Sequence, residues 1–203
     1  MKISKDTKNI GILNQEQRLY NLSPPYQRES GIWGEEKKQL FLDSVINGYD
    51  IPKIYVHDYN NEVDEEGHHF AIIDGKQRLT TIWSFIKNEF ALSDQFEFSK
   101  DSLLSATVNE VDYPKAGNFY KDFSDVYKEN FKNITMDIVK IFTADPEDID
   151  EQFSRLNNGE PLNSAEKRNA LGGVIANLVR EIAQNDFFKN KLLVKNSRFS
   201  HLE

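Results

Sequence analysis

The clearest periodic signal along the chain is a single apolar stripe, Leu79, Ile82, Trp83, Ile86 and Phe90, at the spacing of one buried helical face. It predicts a helix that starts just after Gly75. Upstream, Phe41 with Val45 and Leu42 with Ile46 repeat at i,i+4, acids open the block at Glu35 and Gly48 follows it, which predicts a second helix over 35–47. Pro52 then opens a strand. The β-rich runs 53–59 and 69–73 are separated by an acidic loop, 60–68, too long for a two-residue hairpin turn, and are expected to pair antiparallel.

Further along, 135–144 reads as a strand, and Asp145-Pro146 as a helix start with Asp as N-cap and Pro in the first helical position. Ile149, Phe153 and Leu156 give that helix its buried face, and Asn157-Asn158-Gly159 ends it. Asn163-Ser164 opens another helix, with Val174, Ile175, Leu178, Val179 and Ile182 apolar and Gly172-Gly173 interrupting it. Less regular stretches fill the rest. Residues 1–23 read as a short helix or arm, Ser23-Pro24-Pro25 forces extended backbone, Phe96 and Phe98 suggest short aromatic strands, and 124–133 suggests a helix.

Composition narrows the functional classes. The chain has 203 residues, 38% of them hydrophobic, enough for one domain or one domain with a helical appendage. Its apolar runs fall short of a membrane span and no apolar leader follows the N-terminal lysines, so a cytoplasmic location is expected. The absence of cysteine excludes disulfides and thiolate metal sites. A net charge of -8 argues against broad binding to a nucleic-acid backbone, so any phosphate chemistry has to be local. Ser200-His201-Leu202-Glu203 carries no natural stop signal, and a longer parent protein is expected, with Leu-Glu as a cloning remnant.

Local phosphate chemistry has a candidate in Ile72-Ile73-Asp74-Gly75-Lys76-Gln77-Arg78-Leu79-Thr80-Thr81, where an apolar strand passes through Asp-Gly into the striped helix. A helix start presents unpaired N–H groups and partial positive charge, and Lys76 and Arg78 add two cations there. The same residues also read as a capping box, with Asp74 accepting from the N3 amide and Gln77 reaching back. Both readings stand on sequence alone. Neither a Walker loop nor a triple-glycine dinucleotide fingerprint is present. Tyr26-Gln27-Arg28 and the segment around Arg155 and Asn157 are each explained by surface charge and cap chemistry when taken singly. Tyr26 or Trp33 would suit stacking on a base, although an aromatic beside a helix start also suits the core. The acidic loop 62–66 reads as a solvated hairpin tip.

Taken together, Pro25-Tyr26-Gln27-Arg28, Asp74-Gly75-Lys76-Gln77-Arg78-Leu79-Thr80-Thr81 and Phe153-x-Arg155-Leu156-Asn157-x-Gly159-x-Pro161-Leu162 resemble the N-terminal domain of GmrSD-type modification-dependent restriction proteins. That domain is placed in the ParB and sulfiredoxin-like superfamily. The resemblance implies an α+β fold with a small mixed sheet and packed helices, a nucleotide-binding domain over 1–145 and a mainly helical extension over 146–203. It further implies a regulatory domain that binds and hydrolyses a nucleoside triphosphate with Mg2+, within restriction or anti-phage defence. By position, Asp74, Gln77 and Arg78 are the expected catalytic residues, with Asp74 also a candidate metal ligand. Tyr26, Gln27, Arg28, Gly75, Lys76, Thr80, Arg155 and Asn157 are the expected nucleotide-binding residues. Lys76 departs from the glutamine more common in the family, adding charge where an amide is usual. In the implied mechanism Lys76 and Arg78 neutralise the β and γ phosphates, the 75–77 amides cradle one of them, Arg28 closes from the facing segment and Gln77 positions water.

DNA is expected to be reached through the full-length protein, cleavage belongs to a C-terminal His-Asn-His domain outside this chain, no membrane is involved and a homodimer is left open. Two other classes remain. One is a metal-dependent nuclease using Asp74 and Lys76 with an upstream acid such as Asp58. The other is a non-catalytic DNA-modification or protein-binding module in which the box is only a cap.

Overall fold

In the computed structural model, which describes residues 1–24, 33–100, 109–143 and 145–157, the chain opens as a strand, β1 (Lys2–Asn9). It turns into α1 (Ile10–Gln15), where the Asn9 side chain accepts from the Ile12 amide at 2.8 Å. The short strand β2 (Tyr20–Asn21) follows, then α2 (Glu35–Ile46), β3 (Ile54–Asp58), β4 (Phe70–Asp74) and α3 (Lys76–Ile86). The described chain continues with α4 (Asp125–Asn133), β5 (Thr135–Phe142) and α5 (Pro146–Asn157). Tyr26, Gln27, Arg28 and the helix expected after Asn163 lie outside the described residues.

The strands form one mixed sheet in the order β1-β5-β3-β4-β2. β3 pairs antiparallel with β4, as the two β-rich runs predict, and parallel with β5; β1 pairs antiparallel with β5 and β2 parallel with β4. Helices cover the sheet, and the fold is α+β. Residues 2–9 are a strand rather than a helix or arm. They are polar at almost every position because β1 is an edge, with one neighbour and little face to bury. The Thr7 amide donates to the Asp6 carboxylate at 2.8 Å, and that carboxylate also pairs with Lys140 on β5 at 3.1 Å.

Side-chain alternation divides the core. Ile54, Val56, Ile72, Met136 and Ile138 point to the face covered by α1 to α4, whereas Ile73, Val139 and Ile141 point to the other face and pack with Ile149 and Leu156 of α5. On the first face Phe85 of α3 is the centre of an aromatic cluster, its ring 5.7 Å from Phe90, 5.6 Å from Phe123 and 5.8 Å from Phe131. α3 ends sooner than its stripe suggests, since Asn88 adopts φ 61°, so Phe90 is buried from a loop. The expected strands at Phe96 and Phe98 are absent. Phe96 closes a turn by donating its amide to the Ser93 carbonyl at 3.0 Å, and Phe98 packs on Tyr113 at 4.5 Å, so both aromatics reach the core without a ladder.

Tyr127 of α4 is fully buried, its hydroxyl has no hydrogen-bond partner among the described residues, and burial raises its pKa. An unsatisfied buried hydroxyl costs about 1–3 kcal/mol. Tyr127→Phe is therefore expected to raise the urea unfolding midpoint, with a gain of about 1 kcal/mol in unfolding free energy.

Candidate functional site

The site is built at the junction of β4 and α3. Asp74 is the last residue of β4, opposite Tyr55 on β3, and the chain turns at Gly75 with φ 102°. A Cβ on Gly75 would lie 3.0 Å from Ile54 Cγ1, so the turn needs glycine both for its left-handed backbone and for its closeness to β3. Gly75 is the N-cap of α3; among the described residues no side chain caps the helix, and its first turn holds no acid. The capping box does not form. Asp74 instead turns its carboxylate to Arg78, one helical turn on, and Gln77 Oε1 accepts from the Trp33 backbone amide at 3.2 Å.

Arg78 is the most engaged side chain of the group. Its Nη2 donates to Asp74 Oδ2 at 2.6 Å, while Nη1 donates to the carbonyls of Pro52 at 3.2 Å and Lys53 at 3.0 Å. Lys76 Nζ donates to Ser23 Oγ at 3.2 Å. The first turn of α3 thus holds Ser23 and Trp33, one on either side of 25–32. The Thr80 hydroxyl is used inside the helix, donating to the Lys76 carbonyl at 2.9 Å. Trp33 packs edge-on against Phe41 at 5.6 Å, with Lys37 over its ring at 4.9 Å, a core contact rather than an open stacking face.

Of the remaining expected residues, Arg155 and Asn157 belong to α5, whose Leu156 packs with Ile73 next to Asp74. Arg155 is exposed on α5 and pairs with Glu151 one turn earlier; Asn157 is the last residue of that helix. Asp58 stands opposite Phe70, four residues back along β4 from Asp74, a separation of roughly 13 Å at the usual strand rise. That distance keeps Asp58 from serving as the second acid of the nuclease arrangement. Among the described residues no group of three or more His, Asp or Glu side chains is placed to hold a metal.

A family model of the GmrSD restriction endonuclease N-terminal domain matches residues 10–172, which include the whole β4–α3 junction. The chain belongs to this family. Membership gives the GmrSD N-terminal domain a restriction and defence context. No curated protein and no solved structure matches the chain. No described helix of this GmrSD domain is long and apolar enough to cross a membrane.

Sequence reasoning missed the acceptors that hold the junction, because backbone carbonyls at Pro52 and Lys53 carry no residue signature. It also gave Asp64 no individual role. Asp64 closes the β3–β4 loop, accepting from the amides of Glu66 at 3.0 Å and His68 at 2.9 Å, from His68 Nδ1 and from Asn21 Nδ2 at 2.9 Å. Partial burial pushes its pKa upward, but these donors outweigh it and hold the carboxyl well below the usual carboxylate range.

Two outcomes follow from these contacts. Gly75→Ala is expected to lower stability by about 1–3 kcal/mol, read from urea unfolding, because alanine meets both an unfavourable backbone region and Ile54. Asp64 has a folded pKa below its unfolded value, so its contribution is present above about pH 4 and is lost as pH falls. Asp64→Asn is expected to flatten the fall in unfolding midpoint between about pH 4 and pH 2, leaving the neutral-pH fold intact.

Proposed function

We propose that this GmrSD-family domain binds a Mg2+-nucleoside triphosphate at the start of α3 and hydrolyses it as a regulatory step in restriction or anti-phage defence. The observation that carries the reading is the character of that helix start. Its N-cap is a glycine with no side chain to cap it, its first turn is free of acids, and it carries Lys76 and Arg78 in a protein of net charge -8. Unpaired helix-start amides and partial positive charge favour an anion, and Lys76 adds a unit charge on the same turn.

Each part of the junction has a task in this reading. The backbone amides of 75–77 hold a phosphate, Lys76 offsets its charge, and Asp74 orients the attacking water through Oδ1, which accepts no hydrogen bond from the described residues. Gln77, fixed through Trp33, lines the same mouth. Mg2+ would be carried in on phosphate oxygens with few protein ligands, as is usual at phosphoryl-transfer sites. Bound there, Mg2+ would neutralise charge developing on the transferred phosphoryl group.

Phosphate release from all four ribonucleoside triphosphates, together with calorimetric titration, tests the reading. Wild type is expected to bind at least one of them and release phosphate only with Mg2+, and Lys76→Ala to weaken binding about tenfold, the worth of one partly screened charge contact. Binding without release would reduce the domain to a nucleotide sensor. Neither binding nor release with any of the four would overturn the proposal.

A further inference from the structure

The geometry points to Arg78 as a positioning residue that holds and neutralises Asp74, and not as a ligand of the phosphates; this rests on the triphosphate site proposed above. An arginine beside a helix start is the obvious phosphate contact. Here three of its five N–H donors are already engaged, Nη1 on the carbonyls of Pro52 and Lys53 at 3.2 and 3.0 Å and Nη2 on Asp74 Oδ2 at 2.6 Å. Its side chain is 12% exposed, against 36% for Asp74, so the carboxylate rather than the guanidinium faces the mouth of the junction.

Charge decides between the two roles. Were Arg78 to swing out to a phosphate, it would give up three hydrogen bonds and leave the carboxylate of Asp74 unpaired beside an incoming polyanion. Left in place, the guanidinium cancels the charge of Asp74 and fixes one of its oxygens, so that Asp74 does not repel an anion approaching the helix start and Lys76. Arginine suits this task better than lysine, since its planar fork spans a carboxylate and two carbonyls at once. The effect of Arg78 on the ligand is then transmitted entirely through Asp74.

A second-site rescue separates the roles. Arg78→Ala is expected to weaken triphosphate binding about tenfold or more, the cost of an unpaired carboxylate near phosphate. Adding Asp74→Asn should return the dissociation constant to within about threefold of wild type while phosphate release stays lost, because the charge to be neutralised and the water-orienting carboxylate have gone together. If the double variant binds as poorly as Arg78→Ala, Arg78 touches the phosphate and the inference is wrong. Should Arg78→Ala fail to fold, Arg78→Gln with Asp74→Asn, a neutral hydrogen-bonding pair, carries the same comparison. Urea midpoints keep this separate from the function itself. If wild type binds no triphosphate, the proposed function falls, and the inference is then decided by whether Asp74→Asn costs less stability in the Arg78→Ala background than in wild type; strictly additive losses would overturn it.

Discussion

α3 starts so close against β3 that a side chain at the junction would crowd Ile54, and the arrangement of the site follows from that contact. Gly75 turns the chain with φ 102° in a space where a Cβ would lie 3.0 Å from Ile54 Cγ1. Because the turn takes a single residue, Asp74 at the end of β4 and Arg78 one turn into α3 stand at helical i,i+4 spacing although only one of them is helical. The same closeness brings the carbonyls of Pro52 and Lys53, just ahead of β3, within reach of Nη1. A looser turn would separate these groups and leave Arg78 to solvent.

The aromatic cluster acts on the site from the other end of the helix. Phe85 is fully buried among rings from α4 and the loops around it, and Leu79, Ile82 and Trp83 are buried along the same helix, so the axis of α3 is fixed by packing well away from Gly75. The polar first turn is therefore presented by a rigid element. Its contacts with Ser23 and Trp33 extend that rigidity to the residues on either side of 25–32.

What the sequence made legible, and what it hid, has a physical division. α2, α3 and the antiparallel pair β3–β4 were readable because each buries a face, and burial imposes a period of 3.6 or 2 on the residues. β1 was not, because an edge strand such as Lys2–Asn9 is specified by its pairing with β5 and not by an apolar face of its own. Phe96 and Phe98 misled for the opposite reason: they alternate like a strand yet are held by turns whose hydrogen bonds depend on distant residues, as when the Leu92 amide donates to the Asn118 carbonyl at 2.8 Å. At the site, the identities of Asp74, Gly75 and Arg78 were visible but their bonding was not. A capping box and an Asp–Arg clasp share one sequence pattern, and only the left-handed turn at Gly75, which takes over the N-cap position, decides between them.

The three long helices on the α1–α4 side of the sheet then give an internal comparison for the charge at that turn. α2 places Glu35 and Glu36 in its first turn and α4 places Asp125, the usual complement to a helix start, and α4 adds a serine cap through Ser124. α3 does neither; its first turn holds Lys76 and Arg78 with no acid and no side-chain cap. The same dipole acts on all three helices in a chain with 33 acidic residues to draw on, so stability of the helix alone would favour an acid here too. Part of the discrepancy is removed by Asp74, which stands one residue before the turn and pairs with Arg78. What Asp74 does not supply is a cap for the helix start itself, and in the proposed function an anion bound at that turn takes that place.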